Sequence, residues 1–447
     1  MLHKLIHPKG QVNTEFRQIL HNTGWLFGGK VLRMVISLFV GTWIARYLRP
    51  EGFGQLQYAL VLVSFFDPLS TIQMGQVVTR DLVRHPENSS LILGTAFVLQ
   101  WVGGILAASL CVFGVQFLAP DQPLIQLLVS IIALKCLFNS LQPIANWFES
   151  WVASKYVVMA EHGVFLLIVL LKCGLVMTQA TVVAFAIVIA LESMLYALAL
   201  AYFYLRQHQS IRTWRTNFAS LKYLLRESWP LVLSSTAVVI YLNIDQLMLG
   251  NMIDKSAVGI YASAANLSEA TAFLPVIIGS SLFPRIIQSR QLAPSVYRRR
   301  LQQYYDLNTA IAYSLILVLL PTSGFIMTHL YGAEYQAGIP IFAVHILASL
   351  FTYLGIAQSK WIVTEGLQRY NFYARFTGLM VNIVLNLVLI PRYGGMGAAI
   401  ATLISYAIGG YLFFGLLPAT RSNAYLMTKA LLLPLRLLSR WSLGFTR

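Results

Sequence analysis

Apolar residues run in long, nearly unbroken blocks along this chain, and polar residues are confined mostly to short gaps between them. A helix needs about 20 mostly apolar residues to cross a bilayer. Blocks of that length occur at 23–47, 55–77, 92–118, 123–145, 156–178, 180–205, 229–251, 257–284, 305–328, 338–360, 371–391 and 395–418. They are too long and too evenly apolar for barrel strands, which alternate between lipid and lumen. The pattern predicts an all-α polytopic membrane protein with about twelve transmembrane helices.

Composition agrees. Of 447 residues, 57% are hydrophobic and only 11% charged, whereas a soluble domain carries about 25% charged residues. The formal charge of +16 does not indicate a nucleic-acid partner, because the basic residues sit in the gaps. With the N-terminus inside, the outer gaps hold only Arg46, Arg49, Lys255 and Arg392, against 24 basic residues on the inner side. That bias predicts both termini in the cytoplasm. Residues 1–20 are polar and mixed, so the first helix is expected to act as its own insertion signal. Cys111, Cys136 and Cys173 lie in apolar blocks without disulfide or metal spacing. No metal or cofactor is expected.

The longest inner gap, 206–228, divides the blocks into an N-terminal lobe (1–205, helices 1–6) and a C-terminal lobe (229–418, helices 7–12). It holds most of RTWRTNFASLKYLLRESW, a basic amphipathic stretch expected to lie along the membrane surface. The basic tail, 419–447, contains YLMTKALLLPLRLLSRW, expected as an interfacial helix interrupted at Pro434. The lobes echo each other. YLRPEGFGQLQYA follows the first helix and MIDKSAVGIYASA follows the seventh. Each has a charged turn, a glycine (Gly54, Gly259) and an alanine five residues on (Ala59, Ala264). Two six-helix lobes around a central cavity follow, with a substrate site near the midplane.

Soluble-enzyme motifs fail. GWLFGGKV at 24–31 begins like a phosphate-binding loop, but Val31 replaces the required Ser or Thr and no strand precedes it. Its Gly24–Gly28 spacing suits close helix packing. Asn88-Ser89-Ser90 matches a glycosylation acceptor on the wrong side of the membrane. What remains is a set of ionisable residues inside apolar blocks, which are costly in hydrocarbon and face a cavity or a partner. Arg33, Asp67, Lys135, Glu192 and Glu269 fall near the bilayer centre; Lys30, Glu161, Lys172 and Asp245 fall nearer an edge. Lys135, Asn139, Gln142 and Asn146 recur at helical spacing and form one polar stripe. Lys30, Arg33 and Ser37 share a side of helix one. Helix ten does the same with His345, Ser349 and Thr352, and helix eleven with Arg375, Asn382 and Asn386. Such stripes line a shared wet interior or bond helices to one another. Asp67-Pro68 kinks helix two, for gating or for shape. Asp245, in YLNIDQLMLG, is either part of an ion pair or titrating group at the lobe interface, or a helix-end residue meeting the outer turn.

The chain resembles polysaccharide flippases of the multidrug/oligosaccharidyl-lipid/polysaccharide exporter superfamily, the O-antigen and exopolysaccharide repeat-unit translocases. ARYLRPEGFGQLQYALVLVSFF and GQVVTRDLVRHPE in the first half carry the resemblance. YLNIDQLMLGN, VGIYASAANLSEA and YGGMGAAIATLISY carry it in the second. It implies two six-helix lobes in a V, alternating access, and an undecaprenyl-pyrophosphate-linked oligosaccharide as substrate in the bacterial inner membrane. It implies an acidic residue recurring at Asp245, and basic cavity residues meeting the pyrophosphate, a role matched here by Lys30, Arg33 and Lys135. Arg33 and Lys135 are then expected at the pyrophosphate, and Asn139, Gln142 and Asn146 at the sugars. The carboxylates of Asp67, Glu192, Asp245 and Glu269 pair with those cations or take a coupling proton or sodium. Expected partners are membrane lipids and the polymerase and glycosyltransferases of the same pathway. Two alternatives stay open: a cation-coupled multidrug exporter, and a membrane glycan polymerase or ligase, against which the short outer loops argue.

Overall fold

The computed structural model describes residues 9–291 and 293–444, with side chains described for residue 29, 31–291 and 293–438. Lys30 and the Gly24–Gly28 spacing lie outside the described side chains. In hydrocarbon each backbone N–H and C=O must be satisfied within its own segment, and the described chain is accordingly helical, with no strand. In the first half come α1 (Lys9–Ser64), α2 (Asp67–Thr71), α3 (Gly75–Arg84), α4 (Ser89–Leu118), α5 (Pro123–Ala133), α6 (Lys135–Phe138), α7 (Pro143–Ser150), α8 (Lys155–Met177) and α9 (Val182–Arg206). The second half holds α10 (Phe218–Met252), α11 (Lys255–Glu269), α12 (Phe273–Ser289), α13 (Pro294–Tyr331), α14 (Gly338–Thr364) and α15 (Gln368–Ala407). It ends with α16 (Phe413–Leu416), α17 (Pro418–Leu431) and α18 (Leu433–Gly444).

Among the described residues, 10 helices are long and apolar enough to cross a membrane, where about twelve segments were expected. The difference arises at two bends. The first and second expected segments run together in α1, interrupted only at Arg49, whose φ of 58° is unusual for a residue with a Cβ. The eleventh and twelfth run together in α15, interrupted at Gly394 with φ 55° and ψ −134°.

Residues 206–228, expected as one surface segment, divide in two. Ile211–Thr213 forms a short 3₁₀ turn, and Arg215 N–H donates to the Ser90 carbonyl at 3.1 Å, holding this stretch against α4. From Phe218 the chain is already α10, started by Asn217, whose side chain accepts from Ser220 N–H at 2.7 Å. The tail forms α17 and α18, which break at Leu432 just before Pro434.

The halves meet most tightly where the second leg of α1 crosses α11. A Cβ built on Gly54 would lie 1.6 Å from the Lys255 carbonyl oxygen, and one on Gly259 would lie 2.0 Å from the Pro50 carbonyl oxygen. Pro50 is four residues before Gly54, and Lys255 four before Gly259, so the contact is reciprocal. Ala59 and Ala264, the other echoed pair, are fully buried. Side chains close the same end. Lys255 Nζ donates to the Gly250 carbonyl at 2.8 Å and sits 3.5 Å from the Tyr58 ring centroid, so this buried cation meets a helix C-terminus and an aromatic face. Tyr58 donates to Asn251 at 2.7 Å, and Tyr335 to the Ala45 carbonyl at 2.7 Å.

Because the atoms a new methyl would strike are backbone, the helices have to separate to admit it, and overpacking of that kind costs about 1–3 kcal/mol or more. Gly54→Ala and Gly259→Ala are each expected to lower the thermal unfolding midpoint of the detergent-solubilised protein by several degrees. Gly114→Ala, at a helical position with open space beside it, is expected to leave the midpoint in place.

Candidate functional site

Two broken helices face each other beneath the crossing. On one side α1 ends at Ser64 and α2 starts at Asp67, with Pro68 in its first turn, where a missing N–H costs nothing. Ile72 and Gln73, at φ 48° and 47°, end α2 and turn the chain into α3. On the other side the expected fourth helix is divided into α5, the single-turn α6, a 3₁₀ turn at Asn139–Leu141, and α7 starting at Pro143. Lys135 Nζ lies 2.8 Å from Asp67 Oδ2, with side chains 18% and 34% exposed. The Asn139 amide donates to Ser70 Oγ at 2.7 Å. Asp67, Lys135, Asn139 and Gln142 line a cavity of about 600 Å³ with Thr71 and Gln73; Ser193 of α9 and Ser234 and Ser235 of α10 complete its wall. Since α10 opens the second half, this cavity lies between the halves.

The remaining residue of the polar stripe is elsewhere. Asn146 is buried, and its amide donates to the Gly75 carbonyl at 2.6 Å. The 3₁₀ turn advances each residue by about 120° rather than 100°, so three residues swing α7 by roughly 60°. That rotation carries Asn146 off the cavity and onto α3. Arg33 is also separate: it pairs with Glu161 at 3.4 Å and lies over the Phe165 ring. With Ser37, Lys172 and Glu192 it lines a smaller cavity of about 150 Å³ within the first half. There Lys172 and Glu192 pair at 3.2 Å.

Asp245 is buried at 4% exposure inside the second half, on α10, away from the Lys135 cavity. No basic side chain pairs with it among the described residues. Its Oδ2 accepts from Tyr261 of α11 at 2.7 Å and from the Thr402 hydroxyl, and its Oδ1 accepts from the Asn386 amide at 2.6 Å. The Asn386 amide also donates to Asn382 Oδ1 at 3.0 Å. Thr402 Oγ1 lies 3.0 Å from the Ala398 carbonyl as well, and one hydroxyl proton cannot serve both acceptors. Asn386 Oδ1 has no partner. The cluster therefore holds more oxygen lone pairs than protons to fill them. Asn382 and Asn386 precede the Gly394 bend of α15, while Ala398 and Thr402 follow it. Sequence spacing could not collect this set, because its members come from three helices.

Glu269 is exposed toward a third cavity, of about 400 Å³, in the second half. Arg375, Tyr241, Tyr406, His345 and Gln358 share its lining. Neither Glu269 nor Arg375 has an ion-pair partner among the described residues. The buried His345 Nε2 and Gln358 Nε2 have no hydrogen-bond partner. Part of the wall is a π-helical turn, Ile408–Leu412, a distortion frequent at functional sites. No group of three or more His, Cys, Asp or Glu that could hold a metal ion occurs among the described residues.

Comparison with known proteins identifies the family. The family described as "Polysaccharide biosynthesis protein" matches residues 19–290, more than half of the chain. The chain is 31% identical over 182 residues to "Probable flippase AglR" of Haloferax volcanii, a match spanning 39% of this chain and 37% of that protein. It is 20% identical over 402 residues to "Capsular polysaccharide biosynthesis protein CapF" of Staphylococcus aureus, covering 89% of this chain and 99% of that one. Among solved structures, "Lipid II flippase MurJ, inward closed conformation" superposes with a TM-score of 0.72 at 15% identity, over 94% of this chain and 93% of that one. At that identity the likeness is one of fold. The profile match, which takes in the Gly54–Gly259 crossing, the cavity between the halves and Asp245, makes this chain a member of the polysaccharide biosynthesis protein family.

Proposed function

We propose that this protein is a flippase carrying an undecaprenyl-pyrophosphate-linked oligosaccharide across the bacterial inner membrane, by alternating access of two lobes, 1–205 and 229–418, with both termini cytoplasmic. The observation that carries this reading is the polar cavity between the halves, where Lys135 and Asp67 form a partly exposed ion pair. The names of the relatives, a probable flippase and a capsular polysaccharide biosynthesis protein, support it.

The physics suits such a substrate. Each unsatisfied polar group of a sugar–pyrophosphate head costs several kcal/mol in hydrocarbon. A cavity lined with hydroxyls and amides supplies partners, while the polyprenyl tail stays in lipid. Lys135 can exchange Asp67 for a phosphate oxygen without the desolvated cation ever standing alone, which is the costly state. Asn139 and Gln142 offer hydrogen bonds to the sugars; Asn146 holds α7 to α3. Arg33–Glu161 and Lys172–Glu192 act in this reading as ties between first-half helices. Glu269 and Arg375 serve the sugar chain from the third cavity.

Coupling is assigned to Asp245. Hard cations take oxygen ligands, and the donor set fits one: both Asp245 oxygens, the side-chain oxygens of Asn382, Asn386 and Thr402, and the Ala398 carbonyl. A sodium ion there, or a proton on the carboxylate, would supply the missing positive charge. Because the ligands span both legs of α15 and α10, loading this site changes how those helices hold together.

A hydrogen bond to a charged group contributes about 1.5–3 kcal/mol, so Lys135→Ala is expected to cut flipping about tenfold or more. Surface glycan in a strain lacking its own flippase, at matched expression, reads this out. Asp67→Asn is expected to keep the head bound longer, lowering turnover but not binding of the lipid-linked substrate. Full surface glycan from Lys135→Ala would remove the assigned role. Asp245→Asn keeps the shape of the cluster without its charge. Its flipping is expected to lose dependence on the sodium or proton gradient; an unchanged gradient dependence would count against the coupling role. A deletion giving drug sensitivity with surface glycan intact would instead favour a multidrug exporter.

A further inference from the structure

A group of cations without acidic partners among the described residues lies outside these cavities, where the first turns of α13 meet α17 and α18. A cavity of about 450 Å³ is lined there by Arg298, Arg299, Gln302, Gln303, Asp306, Leu426, Lys429 and Arg436. Its one carboxylate is engaged: Arg436 Nη1 and Nη2 donate to Asp306 Oδ1 and Oδ2 at 3.0 and 3.3 Å. Gln302 adds a donation to Asp306 Oδ1 at 2.7 Å. Arg436 also donates to the Lys429 carbonyl at 2.8 Å, so this cluster clamps α18 onto α13 and α17. Arg298, Arg299 and Lys429 are exposed, and their side chains have no acidic partner among the described residues. Three cations around one cavity repel each other unless an anion joins them.

Two further observations say what kind of anion. Gln302 is nine-tenths buried, and its Oε1 has no partner; it is an acceptor, which suits a hydroxyl donor beside the anionic group. The helix that closes the cavity is amphipathic. Leu435, Leu437 and Leu438 are 62%, 56% and 66% exposed, and Leu432 before them is 46% exposed, while Arg436 turns inward. An apolar outer face beside a basic recess is the arrangement of a helix lying at the bilayer interface. A second recess of about 510 Å³ on the neighbouring face of α13, sharing Gln303, adds Arg285, Arg300 and Tyr304. The buried Tyr304 hydroxyl has no hydrogen-bond partner, although the Asn308 side chain is near.

We propose that the recess between α13, α17 and α18 binds the headgroup of an anionic glycerophospholipid. The phosphodiester sits among Arg298, Arg299 and Lys429, a headgroup hydroxyl donates to Gln302, and the acyl chains lie along the exposed leucines of α18. This site is independent of the transported substrate and does not rest on the proposed function. It makes the seating of the tail against the second half dependent on the lipid around the protein.

The test uses the full chain purified in detergent, with bound lipid counted by native mass spectrometry and thermal unfolding followed alongside. Phosphatidylglycerol, phosphatidylcholine and inorganic phosphate are the three probes. The wild type is expected to hold phosphatidylglycerol about tenfold or more tightly than phosphatidylcholine, and to be stabilised by it. Arg298→Gln/Arg299→Gln/Lys429→Gln is expected to lose that preference while unfolding at or above the wild-type temperature without lipid, since none of the three side chains has a partner among the described residues and their mutual repulsion is removed. Arg212→Gln/Arg215→Gln/Lys222→Gln, a charge-matched change elsewhere, is expected to keep it. Equal loss in both variants would reduce the effect to general surface charge and overturn the proposal. Equal stabilisation by inorganic phosphate would overturn it in favour of a free-phosphate site, and retention in the first variant would end it outright.

Discussion

The backbone-to-backbone crossing of α1 and α11 is the constraint on which the arrangement of the two halves depends. Only a residue without a side chain admits a carbonyl oxygen within 1.6–2.0 Å of where Cβ would stand. In a membrane there is little hydrophobic force between helices, and close approach of small residues is a main source of attraction. Here it is applied twice, by Gly54 against the turn of Lys255 and by Gly259 against the turn of Pro50. Closure at this end gives the cavity between the halves its roof, and the buried Lys255 ammonium is tolerated there because the Gly250 carbonyl near the end of α10 and the Tyr58 ring of α1 supply its partners.

Beneath that roof, helix breaks do the chemical positioning. A continuous helix spends its backbone polar groups on itself and offers only side chains to a cavity. Breaks at Ser64–Asp67 and at Ala133–Pro143 instead bring two interrupted segments to the same level. The Asp67–Lys135 pair spans them, and serines from α9 and α10 complete the wall. The 3₁₀ turn at Asn139–Leu141 decides which side chains stay: Asn139 and Gln142 keep the cavity, and Asn146 becomes a strut to α3. The second half uses its charge differently. Asp245 pairs with no cation among the described residues and is surrounded by hydroxyls and amides, so its environment is set by what fills a cluster rich in lone pairs.

Three arrangements of charge stand out among the described residues. Asp67–Lys135 and Lys172–Glu192 are pairs, each group neutralising the other where water is scarce. Asp245 is a carboxylate solvated by protein dipoles. Arg298, Arg299 and Lys429 are exposed cations without an acidic partner among the described residues, and long side chains of this kind reach water or phosphate at little cost. The resemblance to polysaccharide flippases, read from motifs in both halves, agrees with the profile match and with the shared fold.

Much of this was determined by the sequence alone. Apolar blocks of membrane length dictate helices, because no other open structure satisfies its backbone in lipid. The Gly54/Ala59 and Gly259/Ala264 echo pointed to two repeated lobes, but that the two glycines cross each other's helix backbone is a tertiary fact. Other features were decided only by tertiary structure. Whether a polar stripe faces water or a neighbouring helix depends on local winding, and a 20° change per residue at Asn139–Leu141 lies below what periodicity resolves. Partner choice was equally out of reach. Asp67 and Lys135 are separated by 68 positions, and Asp245 and Thr402 by 157, and nothing local in a chain records which distant side chain will fold against it.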